Sequence, residues 1–137
     1  MRKILTLLAA LVSACGLAVV TSGNASALGG ETLGCRVIAG TPYYQDCYNP
    51  GPSDTYYVVN FLVQNETGAS TYTWYISGAP SGSSIADGCT STANQCAVSV
   101  PRTGGDVYVS VVLTQGASSE TLSSHADIED YCGPVLC

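Results

Sequence analysis

Asp106-Val107-Tyr108-Val109-Ser110-Val111-Val112-Leu113-Thr114, followed by Gln115-Gly116-Ala117-Ser118, is the stretch that decides the fold class. Val107, Val109, Val111 and Leu113 fall on one face, while Asp106, Tyr108, Ser110 and Thr114 fall on the other. An apolar period of two is the mark of a strand with one buried face. The Gln-Gly-Ala-Ser connection is hairpin-sized. After it, Glu120 to Ile128 alternates again, with Leu122, Ala126 and Ile128 inward and Thr121, Ser123, His125 and Asp127 outward.

The same period extends towards the N-terminus. Cys96, Val98 and Val100 share a face until Pro101, which cannot donate to a sheet ladder, ends the strand. Thr71 to Ser77 sets Tyr72, Trp74 and Ile76 against Thr71, Thr73 and Tyr75, and Trp74, the sole tryptophan, is expected in the core. Thr55 to Gln64 is apolar on both faces, Tyr57, Val59, Phe61 and Val63 opposing Tyr56, Val58, Asn60 and Leu62, as suits a central strand. A short strand over Leu33 to Ala39 opens the domain, and a further one is concealed near Ser83 to Asp87. Helical periodicity is missing. Six or seven strands at this spacing predict an all-β domain, a two-sheet sandwich stapled by disulfides.

Residues 1–27 read as a signal peptide. Met1-Arg2-Lys3 is positive, Ile4 to Val20 is apolar, and Ala25-Ser26-Ala27 is a small-x-small cleavage site, so the mature chain is expected to begin at Leu28. The competing reading is a lipobox at Val12-Ser13-Ala14-Cys15, with the chain lipid-anchored at Cys15. Against it, the apolar run continues past that cysteine. A retained membrane span is disfavoured because the run falls short of the ~20 residues needed. Residues 28–137 form the expected secreted domain, large enough for one core.

Charge narrows the function classes. Residues 28–137 hold no lysine and only Arg36 and Arg102, two cations against ten carboxylates, a net charge of −8. Nucleic acid is excluded as a partner, since phosphate backbones are held by clustered Lys and Arg. Anionic membranes are disfavoured likewise. A soluble monomer is expected, which such acidity favours.

Export removes Cys15 and leaves six cysteines, Cys35, Cys47, Cys89, Cys96, Cys132 and Cys137. These can pair in 15 ways, among which sequence does not choose. Short polar or turn-forming separations favour Cys89–Cys96 and Cys132–Cys137, leaving Cys35–Cys47, with Cys35–Cys132 as the main alternative. No close pair of the zinc-binding kind occurs and the lone histidine, His125, has no cysteine or second histidine near it, so neither a metal nor another cofactor is expected.

Catalytic chemistry finds little support. His125 shares a face with Ser123 and Asp127, but neighbours two apart on a strand project in parallel, about 7 Å apart, and do not converge as a triad must. Acidic residues are scattered over turns and strand ends rather than paired across a cleft. A non-enzyme is expected. Asp127, Glu129 and Asp130 form the densest acidic group; calcium there is left open, since no spaced Asp-x-Asp-x-Asp-Gly loop is present.

The stretch most suggestive of binding is Pro42 to Tyr57, an irregular Pro-rich loop holding five of the nine tyrosines. Tyr43, Tyr44, Tyr48 and Tyr56 are the candidate contact residues, because tyrosines on a braced loop offer amphipathic area at low entropic cost. The alternative is that these rings cover an edge of the core. Expected ligands are an extracellular carbohydrate or protein.

The order of strands, with the Thr-Tyr-Thr-Trp-Tyr segment third, resembles the immunoglobulin-like and PKD-like modules of secreted bacterial proteins. The resemblance implies that Trp74 is the core tryptophan of the third strand. The chain departs from antibody-type domains in lacking cysteines midway through Thr55–Gln64 and Asp106–Thr114. Acidity, absence of lysine, size and two short cysteine loops also look like the enediyne-carrier apoproteins, although several strands precede the first cysteine there. The expected function is a non-catalytic binding or interaction module. Alternatives are a carrier of a small apolar molecule, or a hydrolase inhibitor presenting the Cys89–Cys96 loop.

Overall fold

A computed structural model describes residues 28–49, 51, 55–132 and 135–137, with the side chains of Cys132 and Val135 excepted. The expected signal peptide, the expected cleavage site and Cys15 lie outside the described residues. So do Pro50, Pro52, Ser53 and Asp54 of the tyrosine-rich stretch.

Alternation in the sequence becomes a succession of strands with no helix among the described residues. These are β1 (Thr32–Arg36), β2 (Asp46–Tyr48), β3 (Tyr56–Gln64), β4 (Thr71–Ser77), β5 (Ser84–Gly88), β6 (Gln95–Pro101), β7 (Gly105–Gln115) and β8 (Ser118–Ile128), then the two-residue strands β9 (Tyr131–Cys132) and β10 (Val135–Leu136). One sheet runs β1-β3-β6-β5 and the other β2-β8-β7-β4, while β9 and β10 pair with each other. All pairings are antiparallel except β2 with β8, which is parallel.

The two sheets share one core. β3 contributes Val59 and Phe61, β6 Val98 and Val100, β7 Val107, Val109, Val111 and Leu113, and β8 Leu122, Ala126 and Ile128, all buried. Burying each of the Val, Leu, Ile and Phe side chains among them stabilises the fold by about 1.5–3 kcal/mol. β3 is central, as expected, but only its Tyr57, Val59, Phe61, Val63 face is buried; Tyr56 and Val58 are exposed.

Three strand expectations need correction. The opening strand ends at Arg36 rather than Ala39. The strand count is higher than six or seven, because the three-residue β2 lies inside the stretch read as an irregular loop and the two-residue β9 and β10 follow β8. Trp74 is partly buried at the margin of the core, since its indole N–H reaches out 3.1 Å to the Ala93 carbonyl. The concealed strand near Ser83 is present as β5.

Local chemistry explains the turns. Gly116 takes a φ of +59° in the two-residue connection between β7 and β8. Gly104, at +72°, precedes β7 so closely against the Ile128 carbonyl and the Asp130 amide that no Cβ fits.

Two disulfides are described. Cys35–Cys47 ties β1 of one sheet to β2 of the other, and Cys89–Cys96 closes the connection from β5 to β6. The bond across the sheets thus sits at their edge. Cys137 is also disulfide-bonded, but the expected closure with Cys132 involves a side chain outside those described.

Candidate functional site: the tyrosine-bearing edge

Between β1 and β2 the chain leaves one sheet and joins the other, and this crossing carries the tyrosines. Tyr44 forms an isolated antiparallel bridge with Cys35, its N–H donating 3.0 Å to the Cys35 carbonyl and its own carbonyl accepting from the Cys35 N–H at 2.6 Å. One residue on, the Gln45 carbonyl accepts from the Ser124 hydroxyl at 2.7 Å and the His125 N–H at 3.2 Å. β2 then pairs with β8, Asp46 opposite His125 and Tyr48 opposite Asp127. Its far end is held by Asn49, a fully buried side chain whose amide donates to the Glu129 carbonyl at 2.9 Å and accepts the Glu129 N–H at 2.8 Å. With Cys47 bonded to Cys35, a segment poor in apolar residues is held at four points.

This scaffold separates the predicted contact residues. Tyr44 and Tyr48 are 57% and 72% exposed, and both line a groove of about 480 Å³ with Arg36, Val37, Ile38, Thr41, Asp46 and Cys47. Tyr56, 54% exposed, lines a neighbouring groove whose wall is the same Val37–Ile38 pair, continued by Tyr57 and Val58. Tyr43 turns away from both. It lies across Gly34, where a Cβ would come within 2.8 Å of the Tyr43 Cβ, and the Arg36 guanidinium sits 4.4 Å above its ring. Tyr44, Tyr48 and Tyr56 therefore flank one apolar ridge, and Tyr43 supports Arg36.

Sequence reading missed a second group on the outer face of β2-β8-β7-β4. His125 stacks on Tyr108 with ring centroids 4.5 Å apart. Its Nε2 lies 3.0 Å from Asp106 Oδ1 and its Nδ1 3.8 Å from Asp46 Oδ1. The neighbours that matter come from β2 and β7, not from Ser123 and Asp127 on its own strand. The outward alternation of Tyr108 and His125 was visible; their direct opposition across β7 and β8 was not. Ring–ring stacking turns one face of Tyr108 and one of His125 towards each other.

The remaining titratable features are structural. Glu31, 5% exposed, accepts the Gly29 and Gly30 N–H groups at 2.8 and 2.9 Å, which hold its carboxyl below the usual range. Burial raises the Tyr131 phenol, and its hydrogen bond to Glu129 adds to that. Among the described residues no group of three or more His, Cys, Asp or Glu side chains is placed to hold a metal ion. The Cys89–Cys96 loop is held against β4, for Ser91 accepts the Tyr72 N–H and Ala93 accepts the Trp74 indole.

No helix among the described residues is long and apolar enough to cross a membrane. The disulfides point to an oxidising compartment. No protein-family model, curated protein or solved structure matches this chain.

Proposed function

We propose that residues 28–137 are a secreted, non-catalytic binding module of immunoglobulin-like architecture, with Tyr44, Tyr48 and Tyr56 at its contact surface. One observation carries the binding reading. Tyr44 and Tyr48 stand mostly in solvent on a segment that is cross-linked, hydrogen-bonded and in register. Rings that merely covered a core edge would be buried. Rigidly held, exposed aromatic rings beside an apolar ridge cost little entropy when they bind.

The architecture is supported by strand order. With β1 and β2 taken as one strand split between the sheets, the layers are first-second-fifth-fourth and first-seventh-sixth-third. This order is compatible with an immunoglobulin layout, in which the third strand carries a tryptophan, and Trp74 on β4 would be that residue. Secretion is supported by the amino-terminal sequence and by the disulfides.

A second reading, carriage of a small apolar molecule, is favoured by the groove lined by Val37, Ile38, Tyr44 and Tyr48, whose volume lies within the usual range for small-ligand sites. The test compares the parent protein with a Tyr44→Ser/Tyr48→Ser double variant for retention on insoluble polysaccharides and on immobilised extracellular proteins. At least a tenfold loss of retention in a variant of unchanged circular dichroism is expected. Equal retention, or none by either protein on any support, would defeat the reading.

A further inference from the structure

We propose that the groove between β1 and β2 binds an aliphatic monocarboxylate, with the Arg36 guanidinium taking the carboxylate and Val37, Ile38, Tyr44 and Tyr48 taking the chain. The proposal rests on the binding reading above and names its ligand class.

Arg36 carries the inference. Ten carboxylates surround two arginines in residues 28–137, yet the ion pairs among the described residues all belong to His125. Arg36 Nε is buried with no hydrogen-bond partner, and one terminal nitrogen reaches the Thr41 carbonyl only at 3.4 Å. A guanidinium has five N–H donors in a planar fork that matches a carboxylate. Here the fork is already fixed in place by the Tyr43 ring beneath it, at 4.4 Å. A half-buried cation with spare donors on a rigid support is a preorganised anion anchor.

The rest of the groove selects what the anion is attached to. Ile38, Tyr44 and Tyr48 are exposed apolar or aromatic walls, and Val37 is half-buried beside them. Asp46 also lines this groove, on the β2 side. A second carboxylate on the ligand would meet Asp46, so a dicarboxylate is rejected and the head group is directed to Arg36. The overall negative charge does not forbid this, because at physiological ionic strength charges more than about 8 Å away are largely screened.

The test is a ¹⁵N NMR titration of the oxidised protein with octanoate, alongside 1-octanol, octyltrimethylammonium and octanedioate. Octanoate is expected to shift the Arg36 Nε–H signal and the Ile38 and Tyr48 amides saturably, with Arg102 Nε–H unmoved. Octanedioate is expected to bind at least tenfold more weakly. Arg36→Gln is expected to weaken octanoate at least tenfold while leaving octanol unchanged, and its amide spectrum away from the groove reports that it is folded. Equal shifts by octanol or octyltrimethylammonium, or unaltered octanoate affinity in Arg36→Gln, would overturn carboxylate recognition while leaving the groove a binding site. If no probe shifts these signals, the inference fails, and the double-tyrosine retention assay still judges the broader reading separately.

Discussion

The Tyr72 hydroxyl donates a 2.7 Å hydrogen bond to the Glu66 carboxylate, joining the start of β4 to the turn that follows β3. Tyr72 is buried, and burial pushes its phenol up to about 12, the hydrogen bond and negative charge of Glu66 adding to the effect. Its folded value thus exceeds the unfolded one of about 10. The stability this contributes is intact below pH ~10 and is lost as pH rises towards 12. Chemical denaturation across that window should show falling stability in the parent and a flatter profile in Tyr72→Phe. At neutral pH the variant should lose about 1 kcal/mol with the hydrogen bond. Parallel alkaline profiles would refute the assignment.

Glu31 predicts the opposite sign. Its carboxyl is held low by the Gly29 and Gly30 N–H groups, with a further hydrogen bond from Thr67. The contribution is therefore present above the ordinary carboxylate range and disappears as pH falls through it. Glu31→Gln should be less stable than the parent at pH 7, and the two unfolding curves should converge as the pH falls through the carboxylate range and the group is protonated in both states. A constant difference between them at all pH values would contradict this.

Asn49 bridges the end of β2 to the backbone of Glu129 through both its amide oxygen and nitrogen. Asn49→Ala leaves that N–H and carbonyl unpaired, at a cost of about 2–3 kcal/mol. Urea unfolding measures it, and a loss below ~0.5 kcal/mol would mean that water replaces the side chain freely.

Removing one disulfide at a time should give different optical signatures. Cys89→Ser/Cys96→Ser frees the loop whose Ala93 carbonyl holds the Trp74 indole, so native-state Trp74 emission should shift to the red, with about 2.5 kcal/mol lost from unfolding. Cys35→Ser/Cys47→Ser should cost about 3 kcal/mol and leave Trp74 emission unchanged, because that crosslink lies at the β1–β2 edge. Identical emission in the two variants would contradict the placement of Trp74.

Gly104 offers a backbone test. Its φ of +72° and its contact with the Ile128 carbonyl leave no place for a methyl group, so Gly104→Ala should lose about 2–4 kcal/mol. Thermal melting of the pair would show whether the turn tolerates it.

The strands from β3 to β8 and most of their inward residues were legible because alternation is a property of local backbone geometry. Val107, Val109, Val111 and Leu113 must share a face wherever that strand is placed, and all are buried. Cys89–Cys96 was favoured by spacing for a related reason, since short loops close easily, and Cys35–Cys47 was the pair left over. β2 was not legible: three residues carry no readable period, and their strand exists only because β8 offers a parallel edge and Asn49, Cys47 and Gln45 are tied down around it. The same holds for the candidate site. Tyrosine composition singled out Pro42 to Tyr57, but only assembly of the two sheets sends Tyr44 and Tyr48 into one groove, lays Tyr43 under Arg36 and brings Asp46 and Asp106 to His125. Partners some 80 residues apart in the chain are matched by the register of the completed core, and no local pattern encodes that register.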